Sequence, residues 1–124
     1  MPRKGHSTVS VYMMAWDAPR VIEFIREVFG GEVILRYDRD DGTLMHASVR
    51  VGDSTIMVAD GTEQWPSFPV WLHVYVDDVD AAYQRALDHG GIPVQEPANQ
   101  QDGDRRAGVR DVAGNTWWIG GSAL

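Results

Sequence analysis

Apolar and polar positions along the chain change period in the same order twice. Residues 8–14 (TVSVYMM) read as a strand. Val21, Ile22, Ile25, Val28 and Phe29 then recur at helical spacing until Gly30-Gly31 stops the helix. Asp17 is placed to cap that helix and Pro19 to help start it. A second strand is expected over 32–37, then a turn at DRDDGT, and a hairpin pairing 44–51 with 55–59 across Gly52-Asp53. DGTEQWPSFP, at 60–69, is rich in turn formers and holds two prolines, which places a linker at 61–69 between modules of about 7–60 and 70–121. The cycle then repeats. Residues 71–76 read as a strand, Asp77-Asp78 opens a helix over 79–89, and Gly90-Gly91 closes it. A strand at 92–95 follows, then a loop (PANQQDGD) and a closing hairpin from Asp104 to Ile119 that turns at Ala113-Gly114-Asn115.

The two halves keep register. Ser10 and Trp71, Asp17 and Asp78, and Met57 and Trp118 are each 61 residues apart. The expected fold is α+β, with two tandem βαβββ modules in one domain forming a curved mixed sheet. A module of this length does not bury its own sheet face, so the sheets are expected to pair around a shared cleft.

Strand alternation then sorts the side chains. Trp117 and Trp118 point to opposite faces: Trp117, with Trp16, reads as core, and Trp118 as cleft wall. Trp71, Met57 and Ser10 turn inward with Trp118. Tyr12, Tyr75 and His73 fall on the same faces. Pairing Val51 with Ser54 puts Ser48 opposite Met57 and sends His46 the same way. Arg105 and Arg106 point to opposite faces, so one of them, taken as Arg106, reaches the cleft mouth. Trp65, in the proline-flanked linker, is placed to form a lid or a dimer contact.

This arrangement resembles the vicinal oxygen chelate superfamily of glyoxalases, bleomycin resistance proteins and extradiol dioxygenases. AWDAPRVIEFIREVFGGEV, LMHASVRVGDSTIMVAD, VYVDDVDAAYQRALDHGG and DRRAGVRDVAGNTWWI carry the resemblance. It implies the fold above and, for metal-dependent members, a His, Glu or Gln ligand on each of four cleft-facing strands. The matching positions are Ser10, Met57, Trp71 and Trp118, which do not supply imidazole and carboxylate to a divalent ion. No metal and no other cofactor is therefore expected. The resemblance is closest to the metal-free, bleomycin-resistance-like binding members.

Composition narrows the function classes. The net charge of −7 repels phosphate backbones, which argues against nucleic acid. No apolar run approaches the length of a membrane span, and the MPRKGH start is not followed by an apolar signal segment, so a cytoplasmic protein is expected. The absence of cysteine excludes disulfides and thiolate chemistry. Five tryptophans in 124 residues favour an aromatic-walled pocket. The expected function is capture of a hydrophobic or aromatic small molecule by a homodimer. Antibiotic sequestration, as the resemblance implies, is its narrowest version, with binding residues Trp71, Trp118, Met57, Tyr12, Tyr75, His73, His46, Ser10, Ser48, Arg106 and Trp65. The alternative is a glyoxalase-like lyase, isomerase or dioxygenase with a non-standard metal site through His46 and His73.

Overall fold

The computed structural model describes residues 5–123, so the first four residues of the MPRKGH start and Leu124 lie outside the described residues. The elements are β1 (Val11–Ala15), α1 (Ala18–Phe29), β2 (Glu32–Asp38), β3 (Leu44–Val51), β4 (Ser54–Asp60), β5 (Trp71–Tyr75), α2 (Val79–Asp88), β6 (Ile92–Asn99), β7 (Asp104–Arg110) and β8 (Thr116–Ser122). They form two mixed four-stranded sheets of matching order, β1-β4-β3-β2 and β5-β8-β7-β6. This is the expected pair of βαβββ modules. In each, the first strand runs parallel to the last and the remaining pairs are antiparallel.

The repeat carries one slip of register. Tyr12 pairs with Met57, and His73, 61 residues on, pairs with Trp118. The first hairpin closes tightly, with Val51 opposite Ser54, whereas the second spans five residues between Arg110 and Thr116. Gly108 therefore faces Trp118 as Ser48 faces Met57, an offset of 60 along β7.

Local chemistry sets the boundaries. Gly30 takes φ 68°, a left-handed conformation that costs glycine little, and its N–H reaches the Arg26 carbonyl at 3.0 Å to end α1. Asp78 caps α2, its Oδ1 accepting from Ala81 N at 3.0 Å. Asp17 does not cap α1 as expected: it sits at φ 56°, ψ 61°, and its side chain makes no capping bond. The buried carboxylate of Asp60, at the end of β4, does that work. Its Oδ1 accepts from Ala18 N and its Oδ2 from Leu44 N, both at 2.7 Å, tying the start of α1 to the start of β3.

Two strands also differ from expectation. β1 starts three residues later than predicted, and β6 runs on through Pro97 to Asn99. Pro93 and Pro97 are tolerated because β6 is an edge strand, and its pairing with β7 shifts register between Pro93 and Gln95 and again before Ala98.

Both modules share one core. Met13, Val49 and Val58 from the first sheet join Leu72, Val109, Trp117 and Ile119 from the second, with the apolar stripes of α1 and α2. Trp117 is fully buried against Phe24 and Phe29, at ring-centroid distances of 6.0 and 5.3 Å. Arg85 of α2 donates twice to the Val28 carbonyl near the end of α1, at 3.1 and 3.0 Å. Trp16 is not core: it is 60% exposed, and the small side chains of Ala15 and Ala18 are what the β1–α1 turn buries. Since the covered face of each sheet turns to this common core, the opposite, open faces lie outside it.

Candidate ligand-binding face

On the open face of the second sheet, alternation brings Trp71, His73 and Tyr75 of β5 beside Trp118 of β8. Trp71 and Trp118 meet edge to face with centroids 5.4 Å apart, and His73 lies 4.6 Å from the Tyr75 ring. Two glycines make this possible. A Cβ on Gly108 would stand 2.7 Å from Trp118 Cζ3, and one on Gly120 would stand 2.6 Å from His73 Cε1. Both rings therefore lie against bare backbone. Strand alternation alone does not mark these glycines, although a glycine inside a strand is a recognised sign of close approach.

Polar groups are built into one side of this face. Arg106 Nε donates to His73 Nε2 at 3.2 Å, and the guanidinium pairs with Asp102 at 3.3 Å and Asp104 at 3.6 Å. Partial burial, and after it the Arg106 charge, hold the His73 pKa below the usual imidazole value; Asp104 and Asp102 oppose the shift. Arg105 faces away, as alternation requires, and binds Asp80 through two hydrogen bonds of 2.8 and 2.9 Å.

The first sheet places Tyr12, Met57 and Ser48 across adjacent strands in register. His46 joins them, 3.2 Å from the Ser48 hydroxyl and 5.9 Å from the Tyr12 ring centroid. This sets a serine beside an imidazole, but Ser48 is only 1% exposed and is out of reach of a substrate. Sequence reasoning thus sorts two sets of residues correctly by face; in one chain they lie on two separate sheets.

Two expected residues fall elsewhere. Ser10 precedes β1 and donates to the Ser7 carbonyl at 3.1 Å. Trp65 projects from the linker, 63% exposed, its backbone clipped to Thr62.

A groove of about 620 Å³ runs along the free edge of β5, bounded by Val11, Phe29 and the β3–β4 turn. Trp71, His73 and Tyr75 line it along with Leu72 and Val74 from the covered face. The cavity thus opens at a sheet edge beside the aromatic cluster, not over its centre.

The residues at the metal positions do not fit a divalent ion. Two indoles and a thioether offer no hard donors, and Ser10 is turned back on its own loop. Among the described residues no group of three His, Cys, Asp or Glu is placed to hold a metal ion. Nor is any helix among them long and apolar enough to cross a membrane.

Known proteins resemble this chain in sequence or in architecture. An uncharacterised protein of Mycobacterium bovis is 33% identical over 123 residues, covering 90% of this chain and 81% of its own. The crystal structure of TioX from Micromonospora sp. ML1 superimposes with a TM-score of 0.74 at 27% identity, covering 95% of this chain and 98% of that one. TnmS3 from Streptomyces sp. CB03234, described as an antibiotic binding protein, superimposes with a TM-score of 0.71 at 21% identity, over 95% of this chain and all of that one. Since its two βαβββ modules pair as described and a family profile matches residues 8–119, the chain belongs to the glyoxalase/bleomycin resistance protein/dioxygenase superfamily.

Proposed function

We propose that this protein binds a planar hydrophobic or aromatic small molecule on the open face of β5 and β8, and sequesters it without turnover. The observation that carries the reading is the exposure of Trp71 (76%) and Tyr75 (75%) on a face whose other rings are seated on glycine. Large aromatics left in water beside one another mark a surface that something covers. Indole faces and edges suit another flat ring, and the face offers neither an accessible nucleophile nor a hard ligand set.

Completion of the cleft by a second copy is part of the proposal. The open faces of one chain lie on separate sheets, each outside the common core, and β1 and β5 both keep a free edge. A homodimer that sets the Tyr12–Met57 face of one copy opposite the Trp71–Trp118 face of the other would enclose a ligand and shield those edges. An aromatic antibiotic is included among the candidate ligands, since TnmS3, which shares the fold, is described as an antibiotic binding protein.

Titration of the full chain with a panel of planar aromatic metabolites and antibiotics tests the reading, followed by tryptophan fluorescence and thermal shift. Quenching with a raised melting temperature is expected for at least one compound. A panel without effect up to millimolar concentration overturns the ligand reading, and sedimentation as a monomer at micromolar concentration overturns the shared cleft.

A further inference from the structure

The aromatic face contains one polar group whose proton can be located. A guanidinium is always protonated and only donates, so the bond from Arg106 Nε to His73 Nε2 requires a lone pair on Nε2. The imidazole is then neutral and carries its proton on Nδ1. The depressed pKa of His73 agrees, because burial and the adjacent Arg106 charge both disfavour the imidazolium.

The ring is also held in place. Its Cε1–Nε2 edge rests on the Gly120 backbone, where a Cβ would come within 2.6 and 2.8 Å of those atoms, and the Tyr75 ring lies 4.6 Å away. Arg106 is itself anchored by Asp102 and Asp104. His73 Nδ1 has no hydrogen-bond partner among the described residues. One cation set between two carboxylates leaves no surplus positive charge to attract an anion.

We propose that His73 Nδ1–H is a fixed donor that selects planar aromatic ligands bearing a neutral acceptor oxygen, such as an aryl carbonyl, when they lie against Trp71 and Trp118. His73 is the register partner of Trp118, so the residue that carries the donor is the neighbour, across the β5–β8 pair, of the residue that carries the indole. The inference rests on the reading that this face binds planar aromatics and adds the chemical class of the ligand.

The test uses two planar tricyclic probes of closely similar shape, 9-fluorenone and fluorene, in which a carbonyl replaces the methylene at one ring position. With the full-length protein, fluorescence titration is expected to show fluorenone binding roughly three- to tenfold tighter, the worth of one net hydrogen bond. In His73→Phe, which keeps a ring but no donor, the ratio should fall to about one. Nitrogen-15 NMR of the free protein should place the proton on Nδ1. Equal affinities in the parent, a ratio that survives in His73→Phe, or a proton on Nε2 each overturn the selectivity while leaving aromatic binding intact. Failure of both probes to bind overturns the aromatic-face reading and the selectivity with it.

Discussion

Asp111 holds Trp117 in the core: its Oδ2 accepts the indole N–H at 2.7 Å, and both side chains are buried. The same carboxylate accepts from Ala113 N, Asn115 N and Asn115 Nδ2, and Asn115 in turn reaches Val70 N through Oδ1 and Met13 Sδ through Nδ2. One acidic side chain thus fixes the turn between β7 and β8 and the tryptophan that joins the modules, and it holds the Asn115 side chain that binds Val70 N. Asp111→Asn replaces an acceptor oxygen with a donor that faces other donors. A buried donor left unpaired costs about 1–3 kcal/mol, so the variant should be destabilised by at least that much in urea unfolding. A midpoint equal to the parent's would show that the network relaxes freely.

The tryptophans should separate by role. Trp117→Ala opens a cavity under α1 and should cost about 3–5 kcal/mol of stability. Trp71→Ala removes a side chain that is mostly in water, so its melting temperature should stay near the parent's. Its affinity for a planar aromatic ligand should fall by about five- to 150-fold, as should that of Trp118→Ala, equivalent to about 1–3 kcal/mol. Melting curves and dissociation constants on the three variants check this. Unchanged affinity in folded Trp71→Ala and Trp118→Ala would make those rings mere packing.

The repeat and the facing of side chains were legible in the sequence because both follow from chain periodicity. Helical spacing gave α1, and alternation put Trp117 in the core and Trp118 with Trp71 and His73 on the open face. The failures arose where tertiary contacts override local pattern. Asp17 has the residue type of a cap, yet the cap on Ala18 N comes from Asp60, 42 residues further along the chain than Ala18. Trp16 is apolar but sits at a turn that buries Ala15 and Ala18 and leaves the indole in solvent. The seats under Trp118 and His73 depend on ring orientation, which no spacing rule encodes. That the two sheets turn their covered faces to one core, and so leave their open faces outside it, is a matter of module packing that the repeat alone did not fix.

His73 makes stability depend on pH in a definite direction. Its folded pKa lies below the unfolded value of about 6.5, through burial first and Arg106 second, with Asp104 and Asp102 acting the other way. The unfolded chain therefore binds more protons between the two values. The contribution of His73 is fully present above about pH 6.5 and is lost as pH falls from there through the folded pKa. Arg106→Met removes the adjacent cation and leaves both carboxylates, so the His73 pKa should rise and the window should narrow. NMR titration of the imidazole in parent and variant measures it. A pKa that falls in Arg106→Met would show that the hydrogen-bonded charge is not what depresses it.

The seat beneath Trp118 can be tested by pairing two substitutions. In Gly108→Ala the new methyl would stand 2.7 and 2.9 Å from Trp118 Cζ3 and Cε3, and a rigid indole can yield only by lifting off the sheet. Overpacking of this kind costs about 1–3 kcal/mol, and the displaced ring should also change its fluorescence and weaken its contact with Trp71. Trp118→Ala removes the atoms that the methyl meets, so adding Gly108→Ala to it should cost almost nothing, apart from the small effects of alanine on strand backbone. The double-mutant cycle therefore predicts a coupling energy close to the whole cost of Gly108→Ala in the parent. If the two substitutions are instead additive in urea unfolding, the glycine is not a seat for the indole, and the posture of Trp118 has another cause.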